Sequence, residues 1–169
     1  MCATTQQACL ISPVDPPIAE PDINHGPVIV DATVLPRPPL GGVIAVSCQD
    51  QQIAMDFEVR QVVEYDTDQT LFFNWFIDYT PNSFDINSRP FYEIPIESSG
   101  SEVVRDVNQK VRVPVAWLPA QPVGRHVVEV LVADTEPLPG EPAPYRTLPE
   151  GGLYDLWYWV IEIVDDGSC

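Results

Sequence analysis

The chain has 169 residues, with 8 Lys and Arg against 25 Asp and Glu, and a formal net charge of -17. A phosphate-binding face needs clustered cations, and Lys110 is the only lysine, so nucleic acid and electrostatic docking on anionic lipid are both excluded as partners. Hydrophobic residues make up 45%, enough to bury a sizeable core in one domain, and no stretch reaches the roughly 18 consecutive apolar residues of a transmembrane helix.

The chain opens Met1-Cys2-Ala3-Thr4-Thr5. This start resembles the mature end of bacterial lipoproteins, in which a signal peptide is cut just before a cysteine that then carries lipid. The resemblance implies lipidation at Cys2, with membrane contact only through the lipid anchor. It also implies an extracytoplasmic location, at the bacterial outer membrane, in the periplasm or on the cell surface. Residues 1–27 hold Pro13, Pro16, Pro17, Pro21 and Pro27 interleaved with Asp15, Glu20 and Asp22. Such a stretch reads as an extended, semi-rigid stalk rather than a packed element. Removal of residues 1–26 is therefore expected to leave stability nearly unchanged.

Beyond the stalk, period-2 alternation dominates. Short strands are expected at 28–34 and 42–47. Residues 53–59 place Ile53, Met55, Phe57 and Val59 on one face and Asp56 and Glu58 on the other, the pattern of a half-buried strand. Residues 71–79 repeat it with Leu71, Phe73, Trp75, Ile77 and Tyr79. Short strands are expected at 91–96 and 102–107. Residues 111–117 align Val111, Val113, Val115 and Trp117, and Pro114 demotes that strand to an edge or a bulge. Residues 126–133 and 156–164 complete the set, the last being apolar on both faces. Residues 136–149 contain five prolines and form a long stiffened connection, and one helical turn is expected near Gly151–Leu156. Many short strands separated by Asp-, Asn-, Pro- and Gly-containing turns indicate an all-β sandwich or barrel.

The series Phe57-Glu58-Val59, Asp66-Thr67-Asp68 and Phe73-Asn74-Trp75-Phe76-Ile77-Asp78 resembles immunoglobulin-like sandwiches of the fibronectin type III and PKD kind. There a strand, an acidic turn and a Trp-bearing strand follow in this order. Val123-Gly124 through Asp134 is similar to their penultimate strand. The expected fold is an immunoglobulin-like antiparallel β-sandwich of about 7–9 strands over residues 28–169, carried on the stalk of residues 1–27. Cysteines flanking the Trp, as in antibody domains, are missing here. In such a sandwich the end of the last strand lies near the turn between the first two. The resemblance thus brings Cys169 towards Cys48, with Cys9 on the stalk as the other possible partner.

Candidate chemistry is sparse. Asp66, Asp68 and Asp134 lie in acidic turns and are the calcium candidates, although no Asp-x-Asp-x-Asp-Gly loop is present and turn aspartates commonly serve the local backbone. The two histidines, His25 and His126, accompany no Gly-x-Ser-x-Gly elbow, and Cys48 is better explained as half of a disulfide than as a thiol nucleophile beside His126. No cofactor is implied. Trp157 and Trp159 share a face of the last strand, and Phe72 and Phe76 share the off-core phase of theirs; either pair could form an exposed binding platform. The other reading is coverage by the proline-rich connection and Tyr145. The expected function is a non-catalytic envelope module, structural or protein-binding. The alternatives are a carbohydrate-binding module and a calcium-dependent adhesion domain.

Overall fold

The computed structural model describes residues 23–39, 42–47, 54–80, 90–98, 100–114, 123–138 and 146–165. Among them are nine strands: β1 (Val28–Ile29), β2 (Val34–Leu35), β3 (Val43–Ser47), β4 (Ala54–Val63), β5 (Leu71–Ile77), β6 (Tyr92–Ile96), β7 (Val104–Pro114), β8 (Gly124–Ala133) and β9 (Tyr154–Val164). They form two sheets. In the four-stranded sheet, β4 is flanked by β7 on one side and by β1 and β2 in succession on the other; the five-stranded sheet runs β3-β9-β8-β5-β6. Every pairing is antiparallel except β3 with β9. The result is the all-β sandwich expected from the alternation.

The inward phases are the ones the alternation marks. Phe57 and Val59 of β4 meet Phe73, Trp75 and Ile77 of β5, Val128, Val130 and Val132 of β8, and Trp159, Ile161 and Ile163 of β9 in one core. At its centre the rings of Trp75 and Trp159 stack 5.8 Å apart at 9°, and Phe57 lies 5.0 Å from Trp159. The indole N–H of Trp159 donates to the Pro36 carbonyl at 2.9 Å, so this large side chain buries its apolar rings with its one polar group satisfied.

Four local expectations change. The strand expected over 28–34 is two short pieces separated by a 3-10 turn at Asp31–Thr33. That turn arches over Gln61, whose carbonyl accepts from Val30 N and whose N–H donates to Thr33 Oγ1. Opposite it, the β4–β7 register slips between Val59 and Gln61, and the inward phase of β4 moves from Phe57 and Val59 to Val62. A β-bulge of this kind cannot be anticipated from strict alternation. The strands expected at 102–107 and 111–117 are one strand, β7, which passes through the slip with Asn108 at φ 46. It is an edge strand, as Pro114 requires, while Val115 and Trp117 lie outside the described residues. Residues 151–156 form a turn leading directly into β9 rather than a helical turn, because Gly151 adopts φ 87 and the chain must reverse there.

The two ends of the sandwich differ. Ala133 pairs with Tyr154 and Val28 with Val63 at one pole, while Ser47 pairs with Val164 and Gly124 with Ile163 at the other. The described chain therefore enters beside the first pole and leaves from the second, with the length of β9, roughly 35 Å, between them.

Candidate functional site

The outer face of the five-stranded sheet follows from the register. One cross-strand row reads Pro95, Phe72, Ala133 and Tyr154, and the next reads Glu93, Asn74, Leu131 and Leu156. The third carries Phe76, Glu129 and Tyr158. An outer face would ordinarily be polar, yet Phe76, Leu131 and Ala133 are buried. The β8–β9 connection supplies the cover: Leu148 packs on Phe76, Leu131 and Ala133 together with Tyr79 and Leu156. Its described base is closed by Leu138 N donating to the Thr147 carbonyl at 2.8 Å.

Arg146 fastens this cover. Its guanidinium lies 3.7 Å from the Tyr79 ring centre and 5.0 Å from that of Phe76, and it pairs with Glu129. Cation–π attraction and the ion pair act together in a partly desolvated place. Burial lowers the Arg146 pKa below the ordinary arginine value, with Tyr79 and Tyr154 acting against the shift, and burial likewise raises that of Tyr79.

Phe72 is only half-buried among the described residues. Around it lies a pocket of about 280 Å³ lined by Phe72, Asn74, Pro95 and Pro137 and by two exposed acids, Glu93 and Glu136. Asn74 is 5% exposed. Its side chain makes no hydrogen bond among the described residues, and neither acid is paired with a cation there. Sequence reading named Phe72 but not Asn74 or Glu93. The available signal was an amide set between Phe72 and Phe76 on the off-core phase of a strand otherwise buried on both sides.

Of the four aromatic residues proposed for an exposed platform, Trp159 and Phe76 are fully buried, which removes them from it. Trp159 is covered by the opposite sheet rather than by the proline-rich connection, because its phase points into the sandwich; Phe76 is the residue that the connection covers. Trp157 is half-buried, 6.4 Å from Trp159 in an edge-on arrangement, and its indole nitrogen has no partner among the described residues. Trp157 lines a surface pocket of about 330 Å³ with Pro38, Gly42, Leu156 and Tyr158, and Phe72 lines the one that also holds Asn74, Glu93 and Glu136.

The acidic candidates lie at the entry pole. Asp134 accepts from Leu153 N at 2.8 Å and from Asn24 Nδ2 at 2.7 Å, and Asp66 accepts from His25 N at 2.8 Å. Asp155 accepts from Ile29 N at 2.8 Å, and Asp68 is exposed. The carboxylates of Asp66, Asp134 and Asp155 thus bind backbone and amide donors. Among the described residues no group of three or more His, Cys, Asp or Glu is arranged to hold a metal ion. Beneath them the core ends in Glu64 and Arg105, which are 0% and 3% exposed. Arg105 donates to the carbonyls of Gln69 at 2.7 Å and Asp66 at 3.1 Å, and Glu64 Oε1 accepts from Asp66 N. Glu64 Oε2 has no partner among the described residues. Burial raises the Glu64 pKa, and the nearby Asp66 and Asp134 add to this, against the opposing pull of the Asp66 N–H and Arg105.

Residues 24–26 of the expected stalk are therefore fastened to the sandwich. Gly26 also lies so close to Leu153 that an added Cβ would come within 2.8 Å of the Leu153 Cβ. At the other pole, His126 is buried with Nδ1 2.7 Å from Asp78 Oδ2. Cys2, Cys9, Cys48 and Cys169 all lie outside the described residues, as does Tyr145. No family model, curated protein or solved structure matches the chain.

Proposed function

We propose that the chain is an immunoglobulin-like module of the fibronectin type III or PKD kind, non-catalytic and standing outside the cytoplasm of a bacterium. Lipid on Cys2 holds it to the membrane, and its role is structural or protein-binding. The observation that carries this reading is the placement of chain entry and exit at opposite poles, with the entry latched to the sandwich. Asn24 binds Asp134 and the Gly151 carbonyl, His25 N binds Asp66, and Ile29 N binds Asp155. A tether pulling on residue 23 therefore loads bonds to the carboxylates of Asp134, Asp66 and Asp155 at one pole. The proline-rich residues 3–22 suit such a tether, because proline stiffens an extended chain.

Fractionation of source cells tests the reading. The wild-type protein should sediment with membranes and be released by detergent, while Cys2→Ser should appear in the soluble fraction with the same thermal unfolding curve. A wild-type protein that stays soluble in the cytoplasm would overturn it.

A further inference from the structure

We propose that the pocket around Phe72 receives an arginine side chain of a protein partner. This deepens the protein-binding part of the reading above and rests on it. The molecule supplies its own template on the same sheet face. Two register rows from Phe72, the Phe76 ring and the Glu129 carboxylate hold the guanidinium of Arg146. Phe72 repeats the ring four positions earlier on β5, and Glu93 and Glu136 repeat the carboxylate, with no cation seated among them in the described residues.

Asn74 makes the place more than an acidic patch. It is 5% exposed and lines the pocket directly across from Glu93 in the β5–β6 register. A buried amide is normally hydrogen-bonded, since leaving it without partners is costly. Its carbonyl oxygen is an acceptor for a guanidinium N–H, the Phe72 ring offers a π face, and the two carboxylates supply opposite charge. The volume of about 280 Å³ suits one long side chain rather than an extended polymer. The net charge of -17 favours approach of a cationic partner over a neutral one.

The test uses the full chain, isotope-labelled, titrated with N-acetyl-arginine amide and separately with the near-isosteric neutral N-acetyl-citrulline amide. Arginine should give saturable NMR shifts at the Asn74 side-chain NH2 and at the amides of Phe72 and Ala133, with a dissociation constant on the order of 1 mM, as fits a single side chain. Citrulline should bind at least about tenfold more weakly. Glu93→Gln combined with Glu136→Gln should weaken arginine binding by a similar factor; both residues are exposed, so the thermal unfolding curve should be unchanged. Equal shifts with citrulline, shifts spread evenly over the acidic surface, or no saturation at Asn74 would each overturn the proposal. Membrane association through Cys2 would be untouched by any of these outcomes, so the two readings fail separately.

Discussion

Trp157 and Trp159 lie two residues apart on one strand phase, and replacing each with Phe separates the two roles open to them. Trp159 is fully buried, and its indole N–H satisfies the Pro36 carbonyl. In Trp159→Phe that carbonyl loses its partner, at a cost of about 1–3 kcal/mol. The smaller ring also leaves a gap beside Trp75 and Phe57, adding roughly 1 kcal/mol. The sum is about 2–4 kcal/mol, a large share of the roughly 5–15 kcal/mol that holds a domain together. The melting temperature should fall on the order of 10 °C. Trp157 is half-buried and its indole nitrogen has no partner among the described residues, so Trp157→Phe forfeits no hydrogen bond there. Its cost should stay below about 1 kcal/mol. Guanidinium unfolding of both variants measures the difference, with an unchanged slope showing that the unfolded states are comparable. Equal losses, or a larger loss at Trp157, would refute the assignment of Trp159 to the centre of the core.

Glu64 gives a pH dependence with a definite sign. Its folded pKa is raised by burial, so the native state holds the proton more tightly than the unfolded chain. The stability from its protonated form is fully present below the ordinary glutamate value of about 4.3 and is lost as pH rises through the raised value. Glu64→Gln should therefore gain on wild type between pH 4 and pH 7 in denaturant titrations; a constant gap, or a variant less stable at pH 7, would contradict this. Arg146→Ala should cost about 1–3 kcal/mol and increase protease cutting in the β8–β9 connection, because the cover over Phe76 loses its cation–π contacts and its pairing with Glu129; unchanged cutting would count against the cover. Deleting residues 1–22 should leave stability unchanged, whereas deleting 1–26 should cost about 1–3 kcal/mol through the lost Asn24 and His25 bonds; equal stability of the two would contradict the latch. The parallel register sets Ser47 beside Val164, the strand ends that precede Cys48 and Cys169. Non-reducing peptide mapping should find these two cysteines joined, and a Cys9–Cys169 pair would replace that connectivity.

The core was legible because burial on one face imposes a two-residue period. Phe57, Phe73, Trp75, Val130 and Trp159 all sit on the phase that period marks. Three things resist this reading for distinct physical reasons. A bulge changes the phase within a strand, so Val62 turns inward where continued alternation predicts Gln61. Two aromatic positions on an off-core phase cannot reveal what covers them: Phe76 lies beneath Leu148 and Arg146, while Phe72, four residues earlier, borders an open pocket. Side-chain capping by distant residues leaves no local pattern, so acids read as possible cation ligands serve instead as acceptors for Asn24, His25 and Leu153. The pocket's Asn74 and Glu93 fall on adjacent strands that only the cross-strand register brings together.

The central claim is a sandwich held outside the cytoplasm by lipid on Cys2, and the intact mass of the protein purified from its source cells tests it most directly. The account predicts a diacylglyceryl-modified Cys2 as the first residue of the mature chain. A native protein that keeps Met1, carries no lipid and shows the same mass before and after reduction would contradict it.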